Sequence, residues 1–294
     1  MANARAVSKP AAIRPSGLRT LLAIVEDTLR EAFARRIVWA IYASSLLILL
    51  FLIFVLEIDI VSGAKATISL FGQEAMSTGS DDTLSVFIRE VQAAIAVFLY
   101  GVSTFIAVFV CAGLTPALYE QGRVDLLLAR PIARAWIVLG RFLGNVLMVT
   151  PNVLFLVAGS YLILGWKSGF WNPGFLYAIP ASIFTFSALM CLVFFVAIWS
   201  ESAAIATIVT FLAMLFSPIL AQKDLAIRLL GSEAARTLWN IAHAITPKVY
   251  EIGALIPMKL RGQPIETWEP ATTTALVGTA CLCAAILVFV RKDY

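Results

Sequence analysis

The sequence predicts an all-α polytopic membrane protein: six transmembrane helices behind an N-terminal amphipathic interfacial helix, with both termini cytoplasmic. Three observations predict it. The 294-residue chain is 61% hydrophobic and only 14% charged, whereas an average soluble domain is about a quarter charged. Its apolar residues gather in uncharged runs of about 20 residues, the length that crosses a hydrocarbon core. Its charge is also unevenly placed: residues 1–36 carry seven Lys or Arg against three acids, while residues 57–82 carry only Lys65 against five acids. By the positive-inside rule the N-terminus is cytoplasmic and the segment after the first span lies outside.

The elements follow in order. Residues 1–16, with Pro10 and Pro15, read as a mobile cytoplasmic tail. No short apolar core with a small-residue cleavage site precedes Ile37, so no cleaved signal peptide is expected. Residues 17–294 read as one transmembrane domain. Over residues 17–36, Leu18, Leu21, Leu22, Val25, Leu29, Ala32 and Phe33 recur at helical spacing opposite Arg19, Glu26, Asp27, Arg30 and Glu31. Ser16 supplies an N-cap, and Arg35 and Arg36 run directly into a span, which favours a helix lying in the interface over one packed on a partner subunit.

The spans are expected at residues 37–56, 91–115, 142–164, 175–199, 202–221 and 271–290, with a turn at Gly169, Asn172, Pro173 and Gly174 between the third and fourth. Residues 64–83 form an exterior segment that either caps the bundle or connects two spans. Residues 222–270 form an outer loop. Its stretch 223–269 holds six Lys or Arg against five acids, a balance that a long translocated loop tolerates. Within it, "EAARTLWNIAHAI" followed by Thr246 and Pro247 predicts short interfacial or partly re-entrant helices. Six crossings return the C-terminus to the cytoplasm, where Arg291 and Lys292 agree with the rule.

Several function classes are excluded. Cys111, Cys191, Cys281 and Cys283 all lie in apolar runs and lack the setting of a disulfide framework, and His243 is the only histidine, so no metal-ligand spacing exists. No phosphate-binding loop is present: in "GSYLILGWKSG", Trp166 separates Gly165 from Lys167. No nucleophile elbow or histidine-based acid and base pair is found, and no catalytic residue is expected. A charge at mid-span would cost about 2.5–3.5 kcal/mol and mark an ion pathway, but the predicted spans hold essentially none, which argues against a proton- or sodium-driven carrier. Asn145 and Asn152, seven apart on one helical face, are candidates either for lining a pathway or for helix packing. Gly140 and Gly144 have the small-xxx-small spacing that lets helices approach closely, and Arg141 between them is expected to snorkel to the cytoplasmic interface.

The densest polar stretch, "LYEQGRVDLLLARPIARAWIVLGRFLG" at residues 118–144, lies between the second and third predicted spans. It reads as helix, turn, helix: Glu120 and Arg123 can pair on one face, Gly122 weakens the first helix, and Arg130 precedes Pro131 at the start of the second. A short charged helix with Leu126, Leu127 and Leu128 beside its charges is either a docking surface or a solvated loop on lipid headgroups.

This stretch resembles the cytoplasmic signature of type-2 ATP-binding-cassette permeases, which show a Glu, a Gly, a Leu-Leu run, an Arg-Pro or Ser-Pro, a further Arg and a Gly-Lys or Gly-Arg opening the third span. Here those positions are Glu120, Gly122, Leu126 and Leu127, Arg130 and Pro131, Arg134, and Gly140 and Arg141. "EQGRVD" departs from the family's usual small residue or Thr after the Gly. The resemblance implies a permease subunit of an ATP-driven exporter in a bacterial-type inner membrane. It would pair with a second permease subunit and with a cytoplasmic ATPase that binds ATP and Mg, with no cofactor on this chain and no nucleic-acid partner. It implies that residues 117–134 couple the two through Tyr119, Glu120, Gly122, Leu126, Leu127, Arg130, Pro131 and Arg134. A non-transporting membrane assembly or signalling protein using the same loop for another partner is the alternative.

Overall fold

The computed structural model describes residues 17–54, 56–61, 65–70, 73–78, 81–115, 133–222, 233–265 and 267–292. The tail at residues 1–16 lies outside them. The amphipathic N-terminal pattern forms α1 (Gly17–Ala34) and the first apolar run forms α2 (Ile37–Phe54), bent by 65° from one another. Arg36 makes the bend in the left-handed region at φ 56°, a conformation that costs a residue with a Cβ about 1 kcal/mol.

Beyond α2 stands an antiparallel meander of β1 (Leu56–Val61), β2 (Lys65–Leu70) and β3 (Gln73–Thr78). It pairs Ile58 with Ile68 and Ile68 with Met76, with an irregularity after Ile68. The apolar body is all-helical as expected, and this small sheet is the addition to it. "EIDIV" and "ATISL" carry the two-residue alternation of strands, which a search for 20-residue apolar runs passes over.

The remaining described elements are α3 (Asp81–Ala112), α4 (Arg134–Ser168), a 3-10 turn (Pro173–Tyr177), α5 (Ala178–Ser200), α6 (Ala203–Leu220), α7 (Glu233–Ile245), α8 (Val249–Leu260) and α9 (Glu269–Arg291). Five stretches are long and apolar enough to cross a bilayer on their own: Ser85–Ala112, Arg134–Ser168, Pro173–Ser200, Ala203–Leu220 and Glu269–Arg291. The bent α1–α2 pair makes up to a sixth. α3 begins nearly three turns and α4 about two turns before the predicted spans, because hydropathy registers the lipid-crossing part of a helix and not its polar continuation.

α5 is the central helix. Its most apolar window is 72% buried, against 17% for α6 and 22% for α9. Phe186, Leu189, Met190, Phe194 and Ile198 of α5 form the core with Leu99 of α3, Ile137 and Leu156 of α4, and Phe289 of α9. Phe142 of α4 meets Phe194 edge-on at 6.4 Å. One end of the bundle, the α1 end, holds α1, the start of α4, the α5–α6 turn and the end of α9. The other, the α8 end, holds the sheet, the 3-10 turn and α8.

The outer-loop stretch contains α7 and α8, and the first turn of α8 is buried in the bundle. Tyr100 of α3 donates its hydroxyl to the Val249 carbonyl at 2.8 Å and lies 2.9 Å from the Thr185 hydroxyl. Tyr100 is twelve residues before the end of α3 at Ala112, which places the first turn of α8 about 18 Å in from the α1 end. The last turn of α8 has returned to the α8 end, where Asn172 Nδ2 donates to the Leu260 carbonyl at 2.7 Å. A helix start sunk this deep needs partners for its free N–H groups. Lys248 N donates to Thr274 Oγ1 and Tyr250 N to Ser217 Oγ, each at 3.0 Å. Gly253 makes the close approach feasible, since a Cβ there would stand 2.8 Å from the Tyr100 ring.

Candidate coupling face

The α1 end gathers the described residues that flank segment 116–132. Tyr119, Glu120, Gly122, Leu126, Leu127, Arg130 and Pro131 lie within that segment and so outside the described residues. Arg134, Asn145 and Asn152 are described, and what brackets the segment can be built residue by residue.

Helix α1 lies across the first turns of α4. A Cβ at Gly140 would stand 2.6 Å from Ile24 Cγ2, and one at Gly144 would stand 2.7 Å from Thr28 Cβ. The small-residue pair is therefore the seat of α1. The apolar face of α1 is accordingly divided: Ile24, Val25 and Ala32 are buried beside Thr20 and Thr28, while Leu18, Leu22 and Phe33 are exposed.

Arg141, between the two glycines, does not snorkel outward as expected. Its side chain is 6% exposed and is turned onto α1, with Nη2 donating to Asp27 at 3.0 Å and Nη1 to Glu31. The two carboxylates arrive on adjacent turns of α1, so the guanidinium finds its charge partners inside the protein. Glu31 also pairs with Arg35 at 2.8 Å, and Arg35 Nη1 reaches the Gly113 carbonyl at 3.4 Å. A continuous polar chain thus runs from α4 through α1 to the end of α3.

Arg134, on the far side of segment 116–132, is the first residue of α4. It donates Nη1 to the Lys292 carbonyl at 2.5 Å and reaches the Phe289 and Val290 carbonyls at 3.4 Å. A fixed cation here satisfies the free carbonyls of α9 and matches the negative end of its dipole. Lys292 in turn reaches Glu201 Oε1 at 2.5 Å and the Ile198 carbonyl at 3.0 Å. Glu201 ends α5 in the left-handed region at φ 53°.

The two asparagines part company. Asn152 and Ser45 of α2 exchange hydrogen bonds at 3.0 and 3.1 Å, so Asn152 joins helices. Asn145 is buried on α4, and its Oδ1 has no hydrogen-bond partner among the described residues. Sequence reading missed Asp27, Glu31 and Arg35 as partners of the face, and Lys292 and Glu201 as its lock. The four-residue spacing of Asp27 and Glu31, repeated in Gly140 and Gly144 around Arg141, was the available signal.

No protein-family model matches the chain, and no curated protein matches it.

Proposed function

We propose that this chain is the membrane-spanning subunit of an ATP-driven transporter of the type-2 ATP-binding-cassette class, working as an exporter in a bacterial-type inner membrane. The α1 end faces the cytoplasm, with both termini on that side. A separate cytoplasmic ATPase binds ATP and Mg and docks on residues 117–134, and a second permease subunit completes the pathway. Glu120 and Arg130 make the polar contacts with the ATPase, and Leu126 and Leu127 supply the apolar anchor.

One observation supports this reading: the described residues on either side of segment 116–132 are tied to the bundle. The Gly113 carbonyl is held by Arg35, and Arg134 is held by the end of α9. A push delivered to the segment is passed to α3 and α1 on one side. On the other it is passed to α4, α9 and, through Lys292, the α5–α6 turn. Coupling between distant sites travels through such contiguous networks of rigid elements. When the ATPases close, this linkage would turn α3 and α4 together and switch access between the two sides.

The test is the double variant Glu120→Ala and Arg130→Ala with the partner ATPase co-expressed. Co-purification and substrate-stimulated ATP hydrolysis should both fall at least tenfold, the loss that about 1.4 kcal/mol of docking energy corresponds to. Unchanged association and hydrolysis would overturn the assignment.

A further inference from the structure

At the α8 end, α3, the turn after α4 and the end of α8 enclose a cavity of about 430 Å³, within the range of small-ligand sites. It sits where α3 enters its apolar stretch, at Ser85 and Ile88. Its walls are tied together: Gln92 Nε2 donates to the Phe170 carbonyl at 3.0 Å, and Asn172 joins the turn to Leu260.

Three cations line it: Arg89, Lys259 and Arg261. Arg261 is held in a fork by Glu90, with Nε and Nη2 donating to the two carboxylate oxygens at 2.8 and 2.7 Å. That carboxylate holds the Arg261 guanidinium above its ordinary pKa. Arg89 and Lys259 have no ion-pair partner among the described residues, so Glu90 offsets one charge of three. Two cations without an ion-pair partner among the described residues, beside an apolar stretch, favour an anion such as a negative headgroup.

The other side of the cavity is aromatic. Phe170 and Trp171 line it at 40% and 53% exposed. Trp171 is fixed edge-on to Tyr161 at 5.4 Å, and on the same helix as Tyr161 the side chains of Leu162 and Trp166 are exposed. Exposed tryptophans at this level are the mark of a bilayer interface. A soluble anion would satisfy the cations and leave Phe170 and Trp171 uncovered.

We propose that this cavity binds the phosphate headgroup of an anionic membrane amphiphile, with Arg89 and Lys259 on the phosphate and Phe170 and Trp171 against the glycerol and upper acyl chains. The proposal does not rest on the transporter reading, since the site lies at the other end of the bundle from segment 116–132.

The experiment uses the full chain in detergent, titrated with phosphatidylglycerol, with phosphatidylcholine and with inorganic phosphate, and follows bound lipid by native mass spectrometry and the thermal midpoint. Phosphatidylglycerol should bind and raise the midpoint, and phosphatidylcholine should bind at least tenfold more weakly. In the double variant Arg89→Gln and Lys259→Gln, phosphatidylglycerol binding should weaken by roughly tenfold or more, with two charges removed. Arg89→Lys, which keeps the charge, should retain it, so a folding defect in the double variant is separable from loss of the site. Equal binding of the two lipids, or unchanged binding in the double variant, would overturn the proposal. Stabilisation by inorganic phosphate equal to that by phosphatidylglycerol would also overturn it, by making the ligand a soluble anion.

Discussion

Arg141 is buried between two glycines and faces two carboxylates of another helix. Removing it takes one guanidinium from Glu31, which keeps Arg35, and leaves Asp27 without an ion-pair partner among the described residues. Asp27 is 62% exposed and Glu31 19%, so the loss falls short of the 3–5 kcal/mol expected on breaking a fully buried pair. Arg141→Gln should lower stability by about 1–2 kcal/mol. A double-mutant cycle with Glu31→Gln, read from thermal midpoints in detergent, should give a coupling of about 1 kcal/mol. Arg36 presents the opposite case. Its φ of 56° is strained for any residue with a Cβ, so Arg36→Gly should stabilise the bend by about 0.5–1 kcal/mol. An unchanged or lowered midpoint in that variant would show that the Arg36 side chain contributes more than its backbone costs.

Two helix contacts, one made by missing side-chain volume and one by a buried hydroxyl, each predict what a substitution does. Gly144→Val would press against Thr28, already 2.7 Å from a Cβ at that position. It should lift α1 off α4, costing about 1–3 kcal/mol, and trypsin should then cut at Arg19 or Arg30 faster than in the wild type. Within the bundle, Tyr100→Phe removes the hydroxyl that serves Val249 and Thr185 and should cost about 1–2 kcal/mol through unpaired buried groups. The sunken start of α8 should then open first. Faster amide exchange at residues 249–253 than elsewhere in the bundle would register it. The helices themselves were legible because long apolar runs have one solution in a bilayer. The seat of α1 was half legible: Gly140 and Gly144 announce close approach, but nothing in their spacing names Ile24 and Thr28, which come from more than a hundred residues earlier in the chain. The depth of α8 was illegible, because it is set by Tyr100, Ser217 and Thr274 on three different helices.

At the scale of the whole molecule, α5 is enclosed while α6 leaves most of its surface uncovered. Exposed Ile205, Ile208, Leu212, Leu215 and Ile219 run along one side of α6. In a bilayer such a surface is satisfied by lipid or by another helix. The candidate face was legible in kind but not in wiring. On sequence, the charges at residues 120–141 are expected where the chain leaves hydrocarbon, since they are too costly within it. The bond of Arg134 to the end of α9 was not legible, because free helix carbonyls carry no sequence signal of their own. Arg134→Ala should therefore loosen the C-terminal turn, seen as faster exchange at residues 289–292, whether or not a partner is bound.

The seat of α1 also orders events in time. Synthesis runs from the N-terminus and membrane segments emerge in sequence, so α1 is made before either glycine of its seat exists. Ile24 and Thr28 have nowhere to dock, and Asp27 and Glu31 have no Arg141, until residues 140–144 have been added. During that interval α1 has the membrane surface, α2 and the Gly113 carbonyl to rest on, with Arg35 beside Glu31 as an internal pair. Arrival of α4 then seats α1, so the first helix translated is fastened only once the start of α4 has been made.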